Sequence, residues 1–266
     1  MTDRPNASIG RLQDIVRALR DPQTGCPWDL RQDHRSMARH LIEESYEIID
    51  AIEAGQPQDL KDELGDLAFQ IVFHAQLADE RGDFDLQDII DAICAKMIER
   101  HPHVFGDETQ RDAQSVRQAW EARKQASGRR VLAGVPRHMP ALQRAERLTS
   151  KAATVGFDWD HHRHVLDKID EELVELKEAI EGGDKGEIED ELGDALFALV
   201  NLARHMGVDA EAALRSTNDK FTRRFNHIED TLQDQGRHPR DASLEEMDAL
   251  WNQAKAAQKE AVAKTE

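Results

Sequence analysis

Two stretches of this chain match each other at one fixed separation. Leu41-Ile-Glu-Glu-Ser-Tyr-Glu47 aligns with Ile169-Asp-Glu-Glu-Leu-Val-Glu175, and Asp62-Glu-Leu-Gly-Asp-Leu-Ala-Phe69 aligns with Asp190-Glu-Leu-Gly-Asp-Ala-Leu-Phe197. Glu43 and Glu171, Glu63 and Glu191, and Asp66 and Asp194 all stand 128 positions apart. Upstream, Gly25-Cys-Pro-Trp-Asp29 echoes Gly156-Phe-Asp-Trp-Asp160. Downstream, Lys96 with Arg100 echoes Lys220 with Arg224, and Trp120 with Lys124 echoes Trp251 with Lys255. An ordered series of matches constrains the fold: the chain is one unit used twice. Two copies are too few for a solenoid, and each half is long enough to bury a core of its own. We therefore expect tandem domains over 1–125 and 135–266, joined by a linker at 126–134 where helical periodicity lapses and Gly appears.

Inside each copy the apolar period is helical. Leu166, Ile169, Leu173, Leu176 and Ile180 recur at steps of three or four, Gly182-Gly-Asp-Lys-Gly186 interrupts them, and Ile188, Leu192, Ala195, Leu196, Leu199 and Leu202 resume. The first copy does the same across a break at Gly55-Gln-Pro57. Short breaks make consecutive helices antiparallel neighbours. Further helices around Asp209–Leu232 and Leu244–Ala261 complete a bundle, and the low aromatic content of 5% argues against a large sheet. The predicted class is all-α, with two tandem helical bundles.

The acidic residues interrupt the apolar stripes instead of avoiding them. Glu172 and Glu175 lie one turn apart on one face, with Glu172 between Ile169 and Leu176; Glu191 and Asp194 extend the stripe of Ala195, Ala198 and Leu202. Glu44, Glu47, Glu63 and Asp66 repeat the arrangement. Like charges ~4 Å apart repel by roughly 4 kcal/mol at an effective dielectric of ~20, so four converging carboxylates call for protons, basic partners or a metal. An all-oxygen, highly charged donor set suits Mg²⁺, with Mn²⁺ as a substitute. Gly65 and Gly193 sit within these acidic segments, where a helix-interior glycine costs ~1 kcal/mol relative to alanine; close approach of a neighbouring helix is the expected reason.

Composition narrows the partners. A formal net charge of −18 repels nucleic-acid phosphate and anionic membrane, leaving divalent cations, or polyanions carried by them, as ligands. No apolar leader core or membrane span is read. Cys26 and Cys94 form no Cys-x-x-Cys pair, which fits a reducing, cytoplasmic setting. His101-Pro-His103 lacks further ligands and reads as a structural turn.

Glu-Glu-x-x-Glu followed by Glu-x-x-Asp resembles the signature of the all-α nucleoside triphosphate pyrophosphohydrolases. Its duplication, together with Cys26-Pro-Trp-Asp29, His101-Pro-His-Val-Phe105 and Val155-Gly-Phe-Asp-Trp159, resembles the MazG group of that family over nearly the whole chain. The resemblance implies a magnesium-dependent enzyme that converts nucleoside triphosphates, ribo- or deoxyribo-, to monophosphate and pyrophosphate, cleansing the nucleotide pool. It also implies a homodimer or higher homo-oligomer. Carried over, the metal ligands are Glu172, Glu175, Glu191 and Asp194, with Glu44, Glu47, Glu63 and Asp66 in the first copy. Glu172 or Glu175 is the candidate general base, and Lys168, Lys220, Arg223, Arg224, Trp251 and Lys255 are the substrate contacts. Lys220 and Arg224 share a helical face, and Trp251 reads either as a base-stacking ring or as core.

The copies differ where phosphate charge matters. His40 takes the position of Lys168, and a histidine is mostly neutral at pH 7; the second domain is therefore expected to be the better enzyme. A di-iron carboxylate bundle needs Glu-x-x-His on two helices, and these motifs place acids at the histidine positions. A non-enzymatic helical scaffold is the rival of another class.

Overall fold

The computed structural model describes residues 8–106 and 130–263, with side chains described as far as Gln258. Trp120, Lys124 and linker positions 126–129 lie outside the described residues. The chain divides into two compact units. Among the described residues every regular element is helical and no strand occurs, which establishes the all-α class. No helix of the described residues is long and apolar enough to cross a membrane.

The first unit contains α1 (Ile9–Leu19), α2 (His34–Ala54), α3 (Pro57–Asp79), α4 (Leu86–Arg100) and the short α5 (Pro102–Phe105). A capping box starts α2: Asp33 Oδ1 accepts from Ser36 N at 2.7 Å, and Ser36 Oγ accepts from Asp33 N at 2.9 Å. Gly55 ends α2 at φ +65°, and Pro57 opens α3, where its missing N–H costs nothing. The predicted break is thus a two-residue turn, and α2 packs along α3. Val16, Met37, Val72, Phe73, Ala75, Leu77 and Leu86 form the core. Arg20, 7% exposed at its side chain, closes one end. Its guanidinium donates to both oxygens of Glu80 at 2.7 and 2.6 Å and to the carbonyls of Asp29 and Gln32, and lies 5.3 Å from the Phe73 ring centroid. His101 caps α4, its Nδ1 lying 2.7 Å from the Met97 carbonyl, and Pro102 and His103 open α5, so the His-Pro-His segment joins two helices where the sequence predicted a turn.

The second unit contains α6 (Ala141–Ala153), α7 (His162–Gly182), α8 (Lys185–His205), α9 (Ala210–Asp234) and α10 (Leu244–Ala263). Gly183 at φ +77° ends α7, and Asp184 caps α8 by accepting from Gly186 N at 2.7 Å. The α7–α8 hairpin therefore repeats the α2–α3 hairpin with another two-residue connection. One core joins Val165, Ile169 and Ala198 between these helices; a second joins Ile228, Leu232 and Leu250 between α9 and α10.

The expectation for Gly65 and Gly193 is corrected. A Cβ at either position meets no atom within 4 Å, and both are exposed. Neither glycine accommodates a helix of its own unit; each lies on an open side of its hairpin.

Candidate functional site

The site is built on the α7–α8 hairpin. Glu172 is only 5% exposed because it falls in the apolar stripe that packs α7 on α8. One oxygen each from Glu172, Glu175 and Glu191 comes within 4.8 Å of the other two. Asp194 stands outside this tight set, yet its charge acts on Glu191 and it lines the same cavity as Glu172. Burial first, then the neighbouring charges of Glu175, Glu172, Asp194 and Asp190, pushes the Glu191 carboxyl above its ordinary range. In the first unit Glu44, Glu63 and Asp66 form the matching cluster. Glu47 lies outside that set and shares a hydrogen bond with Glu63. Burial, then Asp66, raises Glu44 against an opposing bond from Gln70; burial, then Glu47, raises Glu63.

These donors fit a hard divalent cation. They are all carboxylate oxygens, they converge, and in its absence they repel one another. Lys168 partly offsets that repulsion, with Nζ 2.9 Å from Glu171 and 2.8 Å from Glu172. The bonds to Glu171 and Glu172 hold the ammonium more firmly charged than usual. In the first unit His40 Nδ1 lies 2.7 Å from Glu43.

Lys168, Glu172 and Asp194 line a cavity of about 670 Å³, whose other walls include Leu148, Phe157, Trp159, Val165 and Phe197. That size and lining suit a small organic ligand. The other expected substrate contacts lie elsewhere in the unit. Lys220, Arg223 and Arg224 are on α9, Trp251 and Lys255 on α10, and none of the five lines this cavity. Arg224 donates to Gln258 Oε1 at 3.3 and 3.2 Å and lies 5.4 Å from the Trp251 ring centroid. Trp251 also meets Phe221 at 5.1 Å and packs against Ile228, Leu232 and Leu250. Its rings are thus engaged in packing.

Sequence reasoning assigned nothing to Asp158, Trp159, Asn201, Arg204 or His205. Asp158 accepts from Arg204 and from His205 Nε2 at 2.9 Å, tying the 154–161 loop to the end of α8. Burial alone would raise the Asp158 carboxyl, but the Arg204 and His205 bonds outweigh it and hold it below its ordinary range. The echo between Gly25-Cys-Pro-Trp-Asp29 and Gly156-Phe-Asp-Trp-Asp160 was the available signal for this loop.

The model of the MazG nucleotide pyrophosphohydrolase domain matches residues 32–105 and again 160–229. The chain belongs to the MazG family. It is 44% identical over 256 residues to a nucleoside triphosphate pyrophosphohydrolase of Escherichia coli K12, covering 93% of this chain and 97% of that one. It is 42% identical over 247 residues to a nucleoside triphosphate pyrophosphohydrolase/pyrophosphatase MazG of Thermotoga maritima, covering 92% and 94%. The crystal structure of a mazG-related protein from Thermotoga maritima matches 44% of this chain and 98% of its own, at 26% identity and a TM-score of 0.38. Each MazG segment carries one full acidic set; the second also carries Lys168, Lys220, Arg223 and Arg224, while Trp251 and Lys255 lie beyond it.

Proposed function

We propose that the chain hydrolyses nucleoside triphosphates, ribo- and deoxyribo-, to the monophosphate and pyrophosphate in a Mg²⁺-dependent reaction that clears the nucleotide pool, with Mn²⁺ as a substitute. One observation carries the reading: Glu172, which clusters with Glu175 and Glu191, lines a cavity with aromatic walls together with Asp194 and Lys168. The names of relatives aligned over nearly their full length support it.

Glu172, Glu175, Glu191 and Asp194 would hold the cation, which when bound supplies charge neutralisation for triphosphate oxygens and a more acidic water. Glu172 or Glu175 accepts the proton of the attacking water. Attack at the α-phosphorus breaks the bond to the bridging oxygen and releases pyrophosphate. A triphosphate oxygen entering the cavity competes with Glu171 and Glu172 for the Lys168 ammonium. Lys220, Arg223, Arg224 and Lys255 do not line this cavity, and would serve as further cationic contacts only for a triphosphate chain that extends beyond it, with Trp251 packed on Arg224.

The first unit, proposed to span 1–125, keeps an acidic cluster but places His40 where the second unit, 135–266, has Lys168; it is the weaker enzyme of the two, or has a structural or regulatory role. Half-exposed Leu173, Ile180, Leu192, Leu196 and Leu199 line the α7–α8 hairpin, which supports assembly as a homodimer or higher homo-oligomer. Two free cysteines suit a cytoplasmic setting.

The deciding measurement is pyrophosphate release from a panel of triphosphates with Mg²⁺. Glu172→Ala and Glu191→Ala each lower it by more than the ~10–100-fold that loss of a supporting contact costs at a metal site. No release by the wild type, or equal release by the variants, overturns the reading.

A further inference from the structure

Glu172, Asp194 and Lys168 account for one part of the cavity; Asn201, two helical turns or roughly 10 Å beyond Asp194 on α8, marks its other end. Phe157 and Trp159 stand at it 81% and 48% exposed. They flank Asp158, whose carboxylate accepts from Arg204, from His205 and, at 2.9 Å, from the Trp159 backbone N–H. The aromatic pair is therefore carried on a loop fastened to α8.

The same guanidinium fixes a second group. Arg204 Nε and Nη2 donate to Asn201 Oδ1 at 3.0 and 2.8 Å. A guanidinium has donors and no acceptor, so the side of the amide facing Arg204 must be its oxygen. Asn201 lines the cavity, and its remaining NH₂ has no partner among the described residues. The cavity wall thus holds one oriented donor beside exposed aromatic faces.

We infer that this end of the cavity is the nucleobase subsite, and that Asn201 there favours a base edge bearing a carbonyl over one bearing an amino group. The inference rests on the triphosphate reading above and names the part of the substrate that reading leaves open. A carbonyl accepts from the Asn201 NH₂, whereas an amino group sets donor against donor and leaves both unsatisfied. Trp159 supplies the stacking surface, which is tolerant of base identity, so discrimination falls to Asn201.

The first unit fills the corresponding space. At the 128-residue offset Val165 becomes Met37, Ala198 becomes Gln70 and Asn201 becomes Phe73. Met37 and Phe73 are fully buried in that unit's core. Gln76 replaces Arg204, and Pro27 replaces Asp158 in the upstream motif. The subsite belongs to the second unit alone.

Nucleoside monophosphates test this without turnover. Calorimetric titration of the full chain with Mg²⁺ compares UMP with CMP and IMP with AMP, pairs that exchange a carbonyl for an amino group on one ring. The wild type binds the carbonyl member at least about fivefold more tightly in each pair. Asn201→Ala brings both ratios close to one. Asn201→Ser, which keeps an acceptor for Arg204, does the same and guards against misfolding. Trp159→Ala weakens all four ligands while preserving the ratios. Equal binding of the pairs by the wild type, or retained ratios in both Asn201 variants, overturns the inference. If pyrophosphate release persists in that case, only the subsite falls; if the wild type releases none, the triphosphate reading falls first.

Discussion

At the scale of single residues, the acids that define the site oppose the fold that holds them. Glu191 has its carboxyl raised above the ordinary value of 4.5 by burial first and then by Glu175, Glu172, Asp194 and Asp190. A raised folded-state pKa contributes stability that is fully present below the unfolded value and is lost as pH rises through the folded one. Metal-free protein is therefore expected to lose thermal stability from this group as pH climbs out of the acid range. Glu191→Gln removes that loss, so its advantage in melting temperature over the wild type grows between about pH 4 and 7. Adding Mg²⁺ at neutral pH reverses the order, because only the wild type keeps the full ligand set. Melting curves over that range with and without Mg²⁺ check this, and a variant that melts below metal-free wild type at neutral pH would refute it. Arg20 presents the opposite case. Its bond to Glu80 holds that carboxyl below its ordinary range, ahead of the opposing effect of burial. The stability this contributes is present above about pH 4.5 and is lost as pH falls through the folded value. Arg20→Met leaves the part-buried Asp29 and Gln32 carbonyls without their donor, at a cost of about 1–3 kcal/mol, while the exposed Glu80 carboxylate turns to water. Urea unfolding at pH 7 should show this deficit, shrinking in acid.

At the scale of elements, the hairpins were legible because their signals are local. Apolar steps of three and four, the Gly55 and Gly183 breaks and the Pro57 start all act within a few residues, and each appears as an element end. Gly183 is required by its backbone: at φ +77° an L side chain is strained. Gly183→Ala should destabilise the chain by about 1–2 kcal/mol, measured as a lower urea midpoint with an unchanged slope. The convergence of acids on facing helices was legible for the same reason, since the 128-residue repeat placed them twice on apolar stripes. The aromatic end of the cavity was not legible. The bond from Arg204 to Asp158 spans 46 positions, and none of Asp158, Asn201 and Arg204 breaks a periodic pattern. The fill of the first unit by Met37 and Phe73 was hidden too, because both residues are ordinary core types whose meaning appears only when the two folded units are compared. Gly65 and Gly193 show the converse: their cost in a helix was visible, but the open space around them required the structure.

At the scale of the whole molecule, duplication has left an acidic cluster in each unit among the described residues, and the cavity beside Lys168 in the second. In the full chain, Glu44→Ala with Glu63→Ala should leave pyrophosphate release within about twofold of wild type, while Glu172→Ala abolishes it; a large loss from the first pair would place catalysis in both units. The second whole-chain consequence concerns the apolar surface. Leu192, Leu196 and Leu199 recur along α8, and Leu173 and Ile180 along α7, and all five are half-exposed. Burying each such side chain is worth about 1.5–3 kcal/mol, and Gly193 beside them leaves room for a Cβ and more. A stripe of this length on a chain of net charge −18 needs cover strong enough to overcome charge repulsion, and a second copy supplies a matching stripe by symmetry. Light scattering should give a mass of at least twice the 30.2 kDa chain, and raising the salt should strengthen the association as the repulsion is screened. Leu196→Glu with Leu199→Glu should return the mass to that of one chain. Their side chains are not part of the Val165–Ile169–Ala198 core, so helical circular dichroism should persist. A wild type that runs as a single chain at micromolar concentration would show that the stripe is left uncovered.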